Sequence, residues 1–153
     1  SSVMAQAQVV VPHRRGWDGN RYQMTIPDQV DVIYALSGGG TVNMTMSSVL
    51  GPFAAALDLW IFGSEGTLRV EGIGQGEDPR VTGARRGDAA MAELVVPAEK
   101  RGAWRVEEEF INAIRGIEPV TRSNFTDSLK YMEFVDGVQE SWQQGTRVYL
   151  PGS

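Results

Sequence analysis

The sequence contains no cysteine, a single histidine and only two lysines. Without cysteine there is no disulfide, no thiolate zinc site and no cysteine nucleophile. With His13 alone, imidazole-rich metal clusters are excluded and no metal site is expected. A serine–histidine hydrolase would have to use His13 itself, and no Gly-x-Ser-x-Gly elbow accompanies it. Lys100 lies in a charged linker ahead of a helical segment, and Lys130 follows Leu129 on the water-facing side of another. Both are settings of solvated lysines rather than of an activated amine. Positive charge is scarce overall: 14 Lys and Arg against 19 Asp and Glu leave a net charge of −5. The pairs Arg14-Arg15 and Arg85-Arg86 are isolated beside glycines, which makes nucleic acid a poor partner. No apolar run approaches about 18 residues and no basic-then-apolar leader is present, so no membrane segment is expected and a cytoplasmic protein is.

What is present begins with a strand. Val3 to Val11 follows Ser1-Ser2 directly, with no initiator methionine or leader ahead of it. Several strands and two closing helices come after, so the chain reads as the back half of a longer protein. The first strand ends at Pro12. A polar loop from His13 to Asn20 turns at Asp18-Gly19, and a short strand from Arg21 to Ile26 stops at Pro27-Asp28. Val30, Val32, Tyr34 and Leu36 then alternate with Gln29, Asp31, Ile33 and Ala35. Across the Ser37–Gly40 turn, Val42, Met44 and Met46 alternate with Thr41, Asn43, Thr45 and Ser47, which is the period-2 signature of a hairpin.

A second hairpin runs from Leu57–Phe62 into Thr67–Glu71. Its turn is bounded by Gly63 and Gly66, which are expected to supply the positive φ of a tight reversal. Residues 72–79 read as a flexible loop, and weaker strands follow near Arg80–Ala84 and Met91–Val96. The period then changes. Val106, Phe110, Ile111, Ile114 and Ile117 recur at helical spacing over Trp104–Arg115, with Glu107-Glu108-Glu109 in the first turns. A second helix runs from Thr126, as N-cap, to Gln144, with Leu129, Met132, Val135, Val138 and Trp142 as its apolar stripe and Gly145 as C-cap. Arg147–Leu150 closes as a strand. The fold class is α+β: one domain over residues 1–153, with an open, mainly antiparallel sheet and two C-terminal helices packed on one face. Trp60 and Phe62 oppose Leu59 and Ile61, so parts of both sheet faces are apolar. The face left uncovered is expected to meet a second subunit or a missing domain, unless the chain is a self-contained sandwich.

Three features could carry chemistry. Gly72-Ile73-Gly74-Gln75-Gly76 has dinucleotide-like spacing, but Glu77-Asp78-Pro79 follows where a helix should open, so a surface loop is the better reading. The loop His13, Arg14, Arg15, Trp17 and Asp18 is the stronger candidate. Arginine suits a carboxylate, phosphate or polyol hydroxyl, and an indole face suits a sugar ring or nicotinamide. A solvated polar turn is the other reading of this loop, and turn capping is that of Asp28. Asn43, Thr45 and Ser47 either line a pocket floor or meet water.

Leu59-Trp60-Ile61-Phe62-Gly63-Ser64-Glu65-Gly66-Thr67-Leu68-Arg69-Val70-Glu71 resembles a hairpin of the glucose–fructose oxidoreductase, inositol dehydrogenase and MocA family. Ile26-Pro27-Asp28 before a strand, Phe110–Gly116, and Asp127 to Ser141 are similar to further segments of it, and the likeness runs from Val3 onward. The resemblance implies an N-terminal Rossmann domain binding NAD or NADP, absent from this chain, and hydride transfer on a sugar, cyclitol or related polyol. The family's Glu-Lys-Pro motif is missing; Glu99-Lys100 is followed by Arg101. No catalytic or cofactor-binding residue is therefore assigned, and the chain alone is expected to be inactive. The expected role is the substrate-side and oligomerisation domain, building a homodimer or tetramer through its open sheet face. His13, Arg14, Arg15, Asp18 and Asp28 would stand at the rim of the substrate pocket. The alternative is a free-standing carbohydrate-binding or assembly module using Trp17 and Trp60.

Overall fold

A computed structural model describes residues 1–51, 57–72, 79–102, 104–121 and 124–151. The chain divides into two compact units, residues 1–50 with 105–153, and residues 51–104. Where the sequence suggests one open sheet, the strands form three antiparallel sheets, two of four strands and one of two.

The first unit contains β1 (Ser2–Gln8), β2 (His13–Arg15), β3 (Arg21–Gln23), β4 (Gln29–Ala35), β5 (Thr41–Ser47), α1 (Val106–Ile114), α2 (Phe125–Gln144) and the last strand, β10 (Val148–Tyr149). Its main sheet has the order β10-β1-β4-β5. The period-2 pattern fixes the register. Val3 pairs with Tyr34 and Tyr34 with Val42, Ala5 with Val32 and Val32 with Met44, Ala7 with Val30 and Val30 with Met46. These rows share the face on which α2 lies, and Val3, Ala7 and Val32 are the buried apolar core. The opposite face carries Met4, Gln6 and Gln8 beside Ile33, Asp31 and Gln29. There Asp31 accepts a hydrogen bond from Thr45 Oγ1 at 2.7 Å, and Met4 and Ile33 stay exposed.

α2 reaches the sheet through small residues. Gly137 leaves no room for a Cβ against Leu150 Cδ2, and such a Cβ would lie 3.4 Å from Val3 Cγ2. Ser141, fully buried, accepts from the Ala5 amide at 2.9 Å and donates to the Thr146 carbonyl at 2.6 Å. Phe134 meets Tyr34 edge-on at 5.2 Å. The helix begins one residue before the expected Thr126. Asn124 is the cap, its side chain accepting from the Asp127 amide at 2.9 Å while its Nδ2 donates to the Asp127 carboxylate at 2.9 Å. Gly145 ends the helix at φ 66°, in the left-handed region where a Cβ is unfavourable. The apolar stripe read from the sequence only partly meets the sheet: Leu129, Met132 and Val135 are 61, 56 and 50% exposed. Helical period located an apolar face, but close approach of helix to strand requires Gly and Ser instead.

The second unit holds β6 (Asp58–Phe62), β7 (Gly66–Glu71), β8 (Arg80–Arg85) and β9 (Ala92–Glu93), in that order, followed by the 3₁₀ turn Ala98–Lys100. The strand expected over Met91–Val96 is thus confined to two residues. One face carries Leu59, Ile61, Leu68, Val70 and Val81; the other carries Trp60, Phe62, Arg69 and Thr82. Trp60 and Phe62 stack at 5.9 Å, and the Arg69 guanidinium lies 4.9 Å from the Trp60 ring while pairing with Asp58 at 2.8 Å and Glu71 at 2.7 Å. The β6–β7 turn corrects one expectation. Neither Gly63 nor Gly66 adopts a positive φ. Gly66 is required because a Cβ there would strike the Ala84 carbonyl oxygen and come within 3.0 Å of Arg85 Cα. Close approach of β8, not turn geometry, excludes a side chain. The glycine-rich run from Ile73 to Gly76 lies outside the described residues.

Candidate functional site

The segment His13–Asn20 is not the loop that the sequence suggested. His13–Arg15 is a strand paired with Arg21–Gln23, so the residues singled out lie on a two-stranded hairpin. Its register is His13 with Gln23, Arg14 with Tyr22, and Arg15 with Arg21. The hairpin prolongs the β1–β4 pair, whose last rung is Gln8 with Gln29. Between the two ladders lie four residues on the outgoing side and five on the return. β1 stops at Gln8 rather than Val11 because the next amides turn to a side chain.

That side chain is Asp28. Its carboxylate accepts from the Val10 amide at 2.6 Å, the Val11 amide at 3.1 Å and Arg14 Nη2 at 3.0 Å, and it is only 7% exposed. Its backbone is held as well: the Asp28 amide donates to Gln8 O and its carbonyl accepts from the Ser48 amide. The Val10 amide bond, with help from Arg14 and the Val11 amide, holds the Asp28 carboxyl below its ordinary pKa against the opposing effect of desolvation. Asp28 is therefore a clamp at the root of the hairpin, with Arg14 as part of it.

Asp18 has a comparable task at the tip. It accepts from Tyr22 Oη at 2.7 Å, Asn20 Nδ2 at 2.8 Å and the Asn20 amide at 3.0 Å, and these bonds, the Tyr22 hydroxyl first, lower its pKa. A Cβ on Gly16 would come within 2.6 Å of the Tyr22 ring and 2.8 Å of Asp18 Oδ1, so glycine lets the ring and carboxylate close over the turn. His13, Arg15 and Arg21 are exposed on the other face of the ribbon, and Trp17 stands fully exposed at the tip. Sequence reasoning missed Arg21 and Tyr22, which become visible only once the pairing register is known.

At the root of the hairpin, the end of the sheet and α2 enclose an open apolar cavity of about 590 Å³. Ile26, Pro27, Met46, Phe134, Val138 and Trp142 line it. Trp142, read from the sequence as helix stripe, contributes to this wall.

Among the described residues no set of three or more His, Cys, Asp or Glu side chains could hold a metal ion, and no helix is long and apolar enough to cross a membrane. Neither helix N-terminus suits a dinucleotide pyrophosphate. Glu107, Glu108 and Glu109 occupy the first turn of α1 and Asp127 that of α2, where Asn124 already takes the Asp127 amide.

No protein-family model and no curated protein matches the chain. Solved structures do. An NAD-binding oxidoreductase from Klebsiella pneumoniae is 17% identical with a TM-score of 0.77, over 99% of this chain and 46% of that one. Levoglucosan dehydrogenase in complex with NADH and L-sorbose is 19% identical with a TM-score of 0.76, over 99% and 45%. The aldose-aldose oxidoreductase from Caulobacter crescentus complexed with glycerol is 14% identical with a TM-score of 0.71, over 97% and 41%. The chain thus spans somewhat under half the length of the proteins it matches, and at these identities the likeness is one of fold. The α+β fold of this chain is that of a portion of these oxidoreductases.

Proposed function

We propose that the chain is the substrate-side and oligomerisation domain of an NAD(P)-dependent oxidoreductase that acts on a sugar, cyclitol or related polyol, and that the β2–β3 hairpin forms one rim of its pocket. The observation that carries this reading is the pattern of coverage: nearly all of this chain superposes on less than half of each sugar- or NADH-binding neighbour. The remainder of such a protein would supply the Rossmann domain, the cofactor site and the catalytic groups. Neither helix N-terminus suits the pyrophosphate of NAD(P), and no step of the reaction is assigned to the residues described here.

The share of this domain is positioning. A short ladder clamped at its root by Asp28 and closed at its tip by Asp18 presents His13, Arg15 and Trp17 on a stiff support, and orientation of this kind can contribute much of a rate enhancement. Arg15 would hold the polyol by charge-assisted hydrogen bonds. In protein expressed from the whole reading frame, Arg15→Ala should raise the KM for the polyol by about tenfold, the value of one lost charge-assisted bond, with kcat little changed. Unchanged KM would remove Arg15 from the rim. A protein that binds sugars tightly without any NAD(P)-dependent turnover would favour the free-standing module instead.

A further inference from the structure

We propose that the face of the β2–β3 hairpin bearing His13, Arg15 and Arg21 binds an anionic substituent, a carboxylate or a phosphate, on the substrate; this rests on the polyol reading above. Arg15 and Arg21 are direct cross-strand partners, which places two like charges side by side on one face, an arrangement unfavourable in itself. Among the described residues neither guanidinium has an ion-pair or hydrogen-bond partner. The same chain shows how such a conflict is otherwise settled. Asp58 and Glu71 are also cross-strand partners of like charge, and Arg69 lies against both, at 2.8 and 2.7 Å. Among the described residues none does this for Arg15 and Arg21.

The hairpin's acids are drawn elsewhere. Tyr22 and Arg14 share the opposite face, and they hold Asp18 and Asp28 respectively. The ribbon therefore sorts its charge, with neutralised arginine on one face and two bare guanidiniums beside an imidazole on the other, in a chain of net charge −5. Two guanidiniums carried on paired positions of one face can both reach the oxygens of a carboxylate or phosphate. Trp17 at the tip adds an apolar surface for the sugar ring.

The test uses the 15N-labelled 153-residue chain at low ionic strength. Amide shifts of the β2–β3 hairpin are followed on titration with D-glucose, D-glucuronate, D-glucose 6-phosphate and inorganic phosphate. The proposal expects the two acidic sugars to bind about tenfold or more tightly than glucose, and the tighter of the two identifies the anion. Arg15→Gln and Arg21→Gln should each abolish that preference while leaving the melting temperature equal or higher at low salt, because removing one charge relieves the repulsion. Equal binding of neutral and acidic sugars overturns the anion site and leaves the polyol reading standing. Hairpin shifts with inorganic phosphate but with no sugar support the anion site and count against the polyol reading. Absence of binding by all four probes, or variants that keep the preference, overturns the proposal.

Discussion

Asp28 accepts three hydrogen bonds at the root of the hairpin, and its charge makes them titratable. Its folded pKa lies below the ordinary carboxylate value of about 3.9. The clamp is then fully present above that value and is lost as pH falls through the lower folded pKa. Protection of the Val10 and Val11 amides, relative to their intrinsic exchange rates, should therefore fall below about pH 4, and Asp28→Asn should already lack it at neutral pH and lose the acid step. An Asp28→Asn protein with wild-type protection would show that the carboxylate does not hold these amides. Much at this scale was not legible in the sequence. Asp28 after Pro27 reads as a turn residue, and only the pairing of β1 with β4 reveals that it faces Val10, Val11 and Arg14. Gly66 was legible as indispensable but for the wrong reason, because the crowding comes from β8, which the β6–β7 pattern does not contain.

Elements were legible wherever a period ran for five residues or more. The β4–β5 and β6–β7 hairpins and both helices lie within one or two residues of their expected bounds. β2 was read as part of a loop because a three-residue strand carries no measurable period and all its residues are polar and exposed, whereas the strand expected over Arg21–Ile26 is present as β3 and ends at Gln23. The seat of α2 was also misjudged, since Gly137 and Ser141 carry no apolar signal. Ser141 takes over where β10 ends: β10 pairs with Ser2 and Val3, and beyond it the Ala5 amide finds the Ser141 hydroxyl. Ser141→Ala should leave that amide without its partner and cost about 1–3 kcal/mol in urea unfolding. A loss below the error of the measurement would mean that solvent replaces the hydroxyl and that α2 is not held there.

At the scale of the whole molecule, each of the two units leaves large apolar side chains exposed. α1 exposes Phe110, Ile111 and Ile114, α2 exposes Phe125, Leu129 and Met132, and the β6–β9 sheet exposes Leu59, Ile61 and Leu68. Exposed apolar surface of this kind is expected at sites of association. Sedimentation of the 153-residue chain should show a dimer or larger species, with Leu59→Glu/Ile61→Glu shifting it toward monomer; a monomer at high concentration would remove the oligomerisation role. The most direct test of the account is NAD(P)+ reduction with a panel of sugars and cyclitols, measured side by side for this chain and for protein from the whole reading frame. The account predicts polyol-dependent turnover by the whole protein and none by the chain. Turnover by the 153 residues alone, or none by the whole protein with any polyol, would contradict it.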